Sequence, residues 1–499
     1  MNTIALSHWR CQFCHGATSE SARIVAGDSG FICEACIQRC VAVLGEQPTD
    51  PGKQEADTSL RERLEQHFAP QRPDALLTTS RAFPSRQQAD LQRALDALLG
   101  ERKIPDNFVG LHMRYRGQDA ISFAVLLAHS RSDVRAAPAQ YEEVEIGLGA
   151  VVRCLKNGLW LLRHGDMPYA VVLGLTEGYG QPQSILVEVA VPPGEAGLAL
   201  SEQIFASLER QLSQDSCYRG RVLSLDQPYA WSGHASRIVV QDLAAVARED
   251  VVLPEATLQL LERNVVAFAA QRPALRQLGL STQKGLLFHG APGTGKTHCV
   301  RYLAGQLPDH TTLLITAEGV GLLPEYMALA RLLQPALVVI EDADLVARDR
   351  SEAQSPCSEA MLNRLLNELD GLREQADVFF ILTTNRPETL EPALASRPGR
   401  IDQAVAFPLP DAPLRARLIR LYGGGLVLDD ALVETLAQRT AQASPAFIKE
   451  FMRRIAQHQL EAGAEGPVTL SSAEAALHDM LFAGGVLNKA ILGGEAVEP

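Results

Sequence analysis

The hydrophobic and polar positions along the chain change their period several times, and each change predicts a different kind of structure. Residues 46–59 are polar, carry Pro and Gly, and have no periodicity, which is typical of a linker. Apolar residues with helical spacing follow at about 60–68 and 86–100. Between about 141 and 225 the pattern becomes a series of short apolar and β-branched runs, including "AVVRCL", "SILVEVAV" and "GRVLSL", with one helical stretch, "LSEQIFASLERQLSQ". This pattern predicts a small α+β domain with an antiparallel sheet.

From about residue 241, helical and strand-like patterns alternate, which predicts an α/β domain with a mainly parallel sheet. The predicted helices are 255–271, 296–306, 323–333 and 358–369. The predicted strands are 285–289, 311–316, 336–341, 378–383 and 403–407. After "PLPD" at 408–411 only helical patterns remain, to about residue 482. In an α/β domain of this kind, function is expected at the carboxyl ends of the strands.

Composition and charge limit the classes of function. The chain is 46% hydrophobic and 21% charged, which is typical of a globular protein. Its formal net charge of −13 argues against a large footprint on duplex DNA. No apolar run approaches the roughly 18–20 residues that a membrane-spanning helix needs, and the N-terminus has no secretory signal pattern. We therefore expect a cytoplasmic protein that does not use a membrane.

The strand predicted at 285–289 leads into "HGAPGTGKTH", a glycine-rich turn directly before a helix. This turn contains Gly-x-x-x-x-Gly-Lys-Thr, the pattern of a phosphate-binding loop, in the strand–loop–helix context that the loop requires. Glycines let backbone N–H groups surround the phosphates, Lys296 is expected to reach the β- and γ-phosphates, and Thr297 to ligate Mg²⁺. The residues predicted to bind nucleotide are Gly290, Ala291, Pro292, Gly293, Thr294, Gly295, Lys296, Thr297 and His298.

The strand predicted at 336–341 ends in two adjacent acids, within "LVVIEDAD". A phosphate loop needs a second strand whose acids stand near the metal ion. We therefore expect Glu341 to hold a Mg²⁺-bound water and Asp342 to polarise the attacking water. The predicted reaction is Mg²⁺-dependent hydrolysis of a bound nucleotide.

Five segments in order resemble the AAA family of ATPases, namely "HGAPGTGKT", "VVIEDAD", "LLNELDGL", "TTNRPETLEPALASRPGRID" and "FPLPD". The similarity covers about residues 241–485 and implies an α/β nucleotide domain with a helical lid, assembled as a ring, usually a hexamer. It implies that Asn385 is the first sensor residue, which contacts the γ-phosphate or the attacking water. It also implies that Arg397 and Arg400 are arginine fingers that reach the neighbouring subunit's ATP.

The chain departs from this family in two places. Most members have Asp-Glu where this chain has Glu341-Asp342, so both charges are kept but the expected base is one methylene shorter. Members that thread polypeptides carry an aromatic–apolar–Gly triplet after the second strand. The corresponding stretch, "TAEGVGLLPEYMALARLLQP", has no aromatic residue at that place, and Tyr326 is expected to pack within the following helix. Threading of a polypeptide is therefore in doubt.

Five of the nine cysteines fall within residues 11–40. Four of them form two Cys-x-x-Cys pairs separated by 18 residues, a spacing that suits tetrahedral coordination of Zn²⁺. The predicted zinc ligands are Cys11, Cys14, Cys33 and Cys36. An iron site of the rubredoxin type and redox disulfides are the alternatives. Cys40 is expected to be a small buried hydrophobic residue rather than a fifth ligand.

Residues 9–44 also resemble the N-terminal zinc-binding domain of the ClpX unfoldases, through "CQFC", "IVAGDSGFIC" and "CEACIQRC". The resemblance implies a domain that dimerises and recruits protein clients or adaptors. A nucleic-acid zinc finger is the other interpretation. Residues 1–45 carry three arginines, three acids and no lysine, and a formally neutral module has little affinity for phosphate. We therefore expect protein partners rather than nucleic acid.

Together these features predict a multidomain fold class: a small zinc-binding domain, an α+β middle domain, and an α/β phosphate-loop ATPase domain with a C-terminal helical lid. The expected boundaries are 1–45 for the zinc-binding domain, 46–80 for a linker, 81–240 for the middle domain, 241–410 for the large ATPase domain, 411–485 for the lid and 486–499 for a tail.

The leading functional hypothesis is an ATP-dependent, chaperone-type ATPase that remodels protein complexes and recruits its clients through the zinc domain. One alternative is a nucleotide-gated scaffold that hydrolyses ATP slowly or not at all. The other is an unfoldase that feeds a separate protease, since the sequence has no His-Glu-x-x-His metalloprotease motif of its own.

Overall fold

The computed structural model describes most of the chain after residue 59 and short pieces before it. The described residues are 24–27, 30–33, 36, 60–100, 107–113, 121–127, 134–147, 149–176, 184–226, 237–348, 377–388, 401–463 and 466–480. The chain divides into two compact units, residues 1–59 and 60–499. In the first unit, β1 (Ile24–Gly27) and β2 (Gly30–Cys33) form an antiparallel hairpin.

The first part of the larger unit contains a six-stranded sheet in the order β3-β10-β9-β8-β4-β5, and all its pairings are antiparallel. Its strands are β3 (Leu77–Pro84), β4 (Phe108–Met113), β5 (Val134–Ala136), β8 (Asn157–His164), β9 (Met167–Leu175) and β10 (Ser184–Val191). A separate hairpin is formed by β6 (Tyr141–Gly147) and β7 (Ala150–Leu155). The helices of this part are α1 (Leu60–Phe68), α2 (Gln88–Leu99), α3 (Phe123–Leu127) and α4 (Glu195–Gln214).

Both faces of the six-stranded sheet are buried. The neighbouring residues Leu159 and Trp160 of β8 belong to different hydrophobic cores, since successive side chains of a strand point to opposite faces. Trp160 packs in the core to which α2 and α4 contribute, and Leu159 in the core to which α1 and α3 contribute. A strand buried on both faces is largely apolar, which explains the run from Ala170 to Leu173 in β9.

The second half of the predicted linker, 46–80, is folded. Leu64 and Phe68 of α1 are fully buried in the core of the larger unit. β3 pairs with β10 along its whole length, from Leu77 opposite Val191 to Pro84 opposite Ser184. The prediction of a linker up to residue 80 is therefore wrong, because these residues bury apolar side chains and complete a sheet.

The second part of the larger unit contains a seven-stranded sheet in the order β12-β11-β14-β15-β16-β13-β17. All its pairings are parallel except that of β11 with β12. Its strands are β11 (Val222–Leu225), β12 (Ile238–Val240), β13 (Lys284–His289), β14 (Thr311–Ile315), β15 (Ala336–Ile340), β16 (Val378–Thr384) and β17 (Gln403–Ala406). The helices described beside it are α5 (Glu255–Glu262), α6 (Phe268–Gln277), α7 (Lys296–Gly305), α8 (Leu323–Leu332) and α9 (Ala343–Arg348).

The strand in "GRVLSL", expected in the middle domain, lies in this second sheet instead. Val222 and Leu223 of β11 pair in parallel with Thr312 and Leu313 of β14. Leu223 and Leu313 are both fully buried in one hydrophobic core. The boundary predicted at residue 240 is therefore wrong, because the chain joins the second sheet about twenty residues earlier.

Several contacts attach the β6–β7 hairpin and the segment from Arg219 to Leu225 to the second sheet and its helix α8. Val144 and Val152 of the β6–β7 hairpin pack against the core that contains Leu223. The backbone N–H of Leu225 donates a hydrogen bond of 2.7 Å to the hydroxyl of Tyr326 on α8. Arg219 donates to the carbonyl of Leu332 at the end of α8 over 3.1 Å, and also to the carbonyls of Gln334 and Ser213. The middle part is thus attached to the helix α8 as well as to the edge of the sheet.

Four helices follow the second sheet, and their apolar faces form a hydrophobic core of their own. They are α10 (Ala412–Gly423), α11 (Asp430–Arg439), α12 (Pro445–Glu461) and α13 (Leu470–His478). The side chains of Asp411, Asp429, Ser444 and Thr469 each cap one helix by accepting a hydrogen bond from a backbone N–H in its first turn. Among the residues that the structure describes, no helix has the length and apolar character that crossing a membrane requires.

Candidate nucleotide site

The glycine-rich loop lies between β13 and α7, at the carboxyl end of the sheet. Gly290 approaches the neighbouring strand so closely that a Cβ there would lie 2.3 Å from the carbonyl oxygen of Phe407. Gly293 has a φ of +74°, a conformation that residues with a side chain rarely adopt. The loop therefore needs glycine at these two positions for steric reasons, independently of any ligand.

Lys296, the first residue of α7, points back into this loop. Its side chain is buried, and Nζ donates hydrogen bonds to the carbonyls of Gly290 and Ala291, at 2.8 and 3.0 Å, and to Oδ1 of Asn385 at 2.8 Å. Burial lowers the pKa of the ammonium, and the nearby carboxylates of Asp342 and Asp344 act in the opposite direction. The loop thus holds a buried cation beside two acids.

Asn385, directly after β16, connects the loop to the neighbouring strand β15. Its Nδ2 donates a hydrogen bond of 3.0 Å to Oδ1 of Asp342, while its Oδ1 accepts from Lys296. These three predicted site residues come from three separate places in the sequence. The parallel sheet brings them together, since β15, β16 and β13 are adjacent in it.

The two acids after β15 have different surroundings. The Oε1 atom of Glu341 is buried and has no hydrogen-bond partner within the described part of the chain. Asp342 has a φ of +49°, in the left-handed region, and its N–H donates to the Thr383 hydroxyl over 3.0 Å. Aspartate tolerates this conformation better than most residues. The chain therefore turns sharply at Asp342 and directs its carboxylate towards Asn385.

Asp344 is a part of this network that the sequence interpretation missed. Its side chain is 2% exposed, and its Oδ1 accepts hydrogen bonds of 3.0 Å from both the Thr384 hydroxyl and the backbone N–H of Asn385. A buried carboxylate is unusual and needs such partners. The signal in the sequence was the third acid of "EDAD", two positions after Asp342.

The arrangement fits a nucleoside triphosphate with Mg²⁺. The loop presents a buried ammonium and a helix N-terminus, which favour phosphate. The metal would be held by oxygen ligands, the kind that Mg²⁺ prefers, from the exposed hydroxyl of Thr297 and the unpartnered carboxylate oxygen of Glu341. His298, the next residue of α7, has a buried Nε2 without a hydrogen-bond partner among the described residues.

The C-terminal helices touch the loop directly. The backbone N–H of Ala446, in the first turn of α12, donates a hydrogen bond of 3.2 Å to the carbonyl of Gly293. A Cβ on Gly293 would lie 2.8 Å from Cβ of Ala446 and 3.0 Å from Oγ of Ser444. The N-terminus of α12 is therefore fixed against the phosphate loop.

Some predicted residues lie outside the part that the structure describes. They are Arg397, Arg400, Cys11 and Cys14, together with the helix at 358–369 and the tail at 486–499. Cys33 is described only as the last residue of β2, whereas Cys36 is described and buried. Tyr326 is 1% exposed, which confirms the prediction that it packs within the helix after the second predicted strand.

Two family models match parts of this chain. Residues 286–409 match the family model described as "ATPase family associated with various cellular activities (AAA)". Residues 9–46 match the model described as "ClpX C4-type zinc finger". The first match contains the phosphate loop, both acids and Asn385, and the second contains both Cys-x-x-Cys pairs.

The chain is also similar to curated proteins over less than half of its length. It is 34% identical over 242 residues to the ATP-dependent zinc metalloprotease FtsH 3 of Sphaerobacter thermophilus. The aligned residues make up 46% of this chain and 48% of the relative. It is 34% identical over 201 residues to the 26S proteasome regulatory subunit 4 homolog of Oryza sativa subsp. japonica. This alignment covers 38% of this chain and 44% of the relative. It is 31% identical over 191 residues to the proteasome-activating nucleotidase of Methanosphaerula palustris. This alignment covers 36% of this chain and 46% of the relative.

The chain thus spans about half the length of the curated relatives that it matches. The AAA match implies ATP and Mg²⁺ as cofactors, and the zinc-finger match implies Zn²⁺. The residues that form the nucleotide site and the two family matches lead to the same assignment. This multidomain chain carries an AAA ATPase domain at residues 286–409 and a ClpX-type C4 zinc finger at residues 9–46.

Proposed function

We propose that this protein is a Mg²⁺-dependent ATPase that remodels protein complexes. The observation that carries the proposal is the bridge made by Asn385 between Lys296 of the phosphate loop and Asp342 after β15. Phosphoryl transfer depends mainly on positioning and on stabilising charge. The bridge positions the cation that contacts phosphate, the acid that polarises water and the amide between them.

The proposed roles follow from these positions. Lys296 binds the β- and γ-phosphates, and Thr297 and Glu341 provide oxygen ligands for the metal. Bound Mg²⁺ neutralises charge on the phosphate oxygens. Asp342 orients the attacking water and accepts its proton, and Asn385 contacts the γ-phosphate or the water.

We also propose a ring, with a hexamer as the expected state, in which Arg397 and Arg400 reach the ATP of the neighbouring subunit. The helices α10–α13 would form the lid over the nucleotide, a role supported by the bond between Ala446 and Gly293. The zinc finger would be held by Cys11, Cys14, Cys33 and Cys36 and would recruit protein clients or adaptors. The names of the relatives, two of which refer to the proteasome and one to proteolysis, support protein rather than nucleic acid as the client.

The variants Lys296→Ala and Asp342→Asn test the proposal. Removal of a general base typically lowers a rate by about 10²–10⁴-fold, so we expect Asp342→Asn to bind ATP but to hydrolyse it at least a hundredfold more slowly. Lys296→Ala should lose binding as well. Asp430→Asn, on the exposed start of α11, is the matched control and should hydrolyse ATP like the wild type.

The Asp342→Asn variant also tests the client. Proteins that stay bound to it in cell extract, and that ATP hydrolysis releases from the wild type, would be the clients. Recovery of nucleic acid without protein would overturn the remodelling proposal. Undiminished hydrolysis by Lys296→Ala would overturn the assignment of the site.

The second candidate is a nucleotide-gated scaffold, which assembles with ATP but turns over very slowly. The burial of Tyr326 favours it, because this aromatic residue near the expected substrate loop cannot grip a client. Turnover and ring assembly should be measured on the same sample. Assembly with ATP and turnover at the level of Asp342→Asn would favour the scaffold.

A further inference from the structure

A cavity of about 320 Å³ lies at the junction between the middle part and the second sheet. It is bordered by the start of α2, by β6 and by β12. None of the residues that line it belongs to the nucleotide site. It is therefore a separate feature, and neither of the two family matches includes its walls.

Hydrogen-bond donors collect at the α2 side of this cavity. Gln88 is 7% exposed, and its Nε2 has no hydrogen-bond partner among the described residues. Arg86 is half-buried and makes neither an ion pair nor a hydrogen bond with the residues that the structure describes. Ser85 and Tyr218 add hydroxyl groups to the same lining. A buried polar group is normally paired, so the unpartnered Nε2 of Gln88, with Arg86 in the same lining, indicates a ligand that accepts hydrogen bonds.

The electrostatic surroundings of Arg86 support an anionic ligand. Burial lowers the pKa of its guanidinium, and the charge of Glu325 on α8 acts in the opposite direction. A guanidinium stays charged in proteins, so its partly desolvated charge favours an anion beside it. Arginine also presents its donors in a planar fork that matches a carboxylate.

Four acids and two arginines line the cavity, and each of the acids is paired or exposed. Glu142 is paired with Arg237 at 3.0 Å and with Lys156 at 3.9 Å. Glu143, which pairs with Arg153 over 3.5 Å, is exposed. The remaining two acids, Glu145 and Asp226, are exposed as well. Water and salt screen exposed charges, whereas the charge of Arg86 is partly shielded from both.

Apolar side chains complete the cavity. Val144 of β6 and Ile238 and Val240 of β12 line it and are buried or partly buried. A ligand that joins a carboxylate to a short apolar group would therefore satisfy both sides of the cavity. The apolar group would pack on the two strands, and the carboxylate would accept from the donors near α2.

We propose that this cavity binds a carboxylate with a short aliphatic group, and that Arg86 and Gln88 are the residues that hold the carboxylate. Two sources share this chemistry, a small free organic acid and the C-terminus of a peptide. The proposal does not depend on ATP hydrolysis, since the cavity and the nucleotide site have no residue in common.

Calorimetric titration of the full chain tests the proposal with four probes. Two are butyrate and its neutral analogue butanamide, and two are acetyl-valyl-leucine with a free C-terminus and with an amidated one. We expect at least one free acid to bind and both amides to fail. Binding of butyrate identifies a free acid as the source, and binding of the peptide acid alone identifies a chain terminus.

The variants are Arg86→Met and Gln88→Leu, which keep most of the side-chain volume. A hydrogen bond to a charged group contributes substantially to binding. We therefore expect each variant to lower the affinity for the free acid at least about tenfold. Arg439→Met is the matched control, because this exposed arginine pairs with Glu474 and does not line the cavity, and it should change binding less than threefold. If Arg86→Met does not fold, Gln88→Leu still decides the question. Equal binding of acid and amide, unchanged binding by a folded variant, or no binding of any probe would overturn the proposal.

Discussion

Asn385 donates a hydrogen bond from Nδ2 to Oδ1 of Asp342 across 3.0 Å, and this bond fixes the orientation of its side-chain amide. A carboxylate can only accept and an ammonium can only donate, so the oxygen of Asn385 must face Lys296. The position of Asp342, the proposed base, therefore depends on the side-chain amide of Asn385. The position of that amide depends in turn on the groups that hold the backbone of Asn385. Asp344 holds that backbone from the buried side.

We expect Asp344→Ala to lower both stability and turnover. The substitution leaves the Thr384 hydroxyl and the N–H of Asn385 without their buried acceptor, which should cost about 1–3 kcal/mol of unfolding free energy. Because Asn385 would lose its support, kcat should fall more than the affinity for ATP. Urea unfolding and steady-state ATPase assays measure the two effects.

Asp344→Asn separates hydrogen bonding from charge. Both hydrogen bonds reach the same oxygen, which an asparagine amide can supply, so this variant should recover most of the stability. Asp430→Ala, which removes an exposed carboxylate, should change neither quantity. Equal turnover in Asp344→Ala and the wild type would show that Asp344 has no positioning role.

Gly293→Ala should weaken ATP binding at least about tenfold. The left-handed backbone costs an alanine about 1–2 kcal/mol, and its Cβ would lie 2.8 Å from Cβ of Ala446. The loop and the start of α12 must then move apart, which changes the geometry of the phosphate site. Titration with a fluorescent ATP analogue measures the affinity.

Gly305→Ala is the matched control for this glycine. It lies at the end of α7, and a Cβ there would meet no atom within 4 Å. We therefore expect ATP affinity to stay within twofold of the wild type. Equal affinity of the two variants would contradict the steric account of Gly293.

His310 should make the protein less stable as the pH falls from about 6.5 to 4. Burial and the nearby Arg272 lower its pKa from 6.5 to about 4. In this window the unfolded chain binds more protons than the folded one, so stability rises with pH and is lost on acidification. The contribution should be on the order of 1–3 kcal/mol.

Replacement of His310 by glutamine should flatten this part of the stability–pH profile. Chemical unfolding at a series of pH values measures it. The control is His164→Gln, at the exposed end of β8, which should leave the slope unchanged. The assignment is wrong if the slope between pH 4 and 6.5 survives in His310→Gln and disappears in the control.

Zinc content should distinguish the predicted ligands from the neighbouring cysteine. Cys14→Ser removes one of four thiolates, and we expect zinc binding to fall below half an ion per chain at equal total zinc. Cys40→Ser should retain about one ion. Metal analysis of the purified full chain gives the stoichiometry, and loss of zinc from Cys40→Ser alone would contradict the predicted ligand set.

The phosphate loop could be predicted from sequence because its chemistry is contiguous. Eight residues, Gly290 to Thr297, contain the turn, the cation and the helix start in one stretch. The strands from β13 to β17 were also predictable, since buried parallel strands are mostly apolar, and the expected strand at 336–341 corresponds to Ala336–Ile340. The helix expected at 255–271 is instead divided by a π-helical turn, Arg263–Ala267.

Long-range pairing and burial were not predictable. A short apolar run such as "VLSL" has the same pattern whichever sheet it joins, so β11 was assigned to the wrong one. Asp344 was overlooked for a related reason. An acid near a strand end usually faces solvent, and only the folded chain shows that Thr384 and Asn385 enclose it.

The placement of β11 has a consequence for dissecting this protein. A fragment that starts at the boundary expected from sequence, residue 241, would lack the strand that pairs with β14. The unpaired backbone groups of β14 would then form a bare sheet edge, which favours association with other chains. Removal of Leu223 would also uncover apolar surface on α8 and β14. The ATP-binding half is therefore not separable at that boundary, and a workable fragment must begin before Arg219.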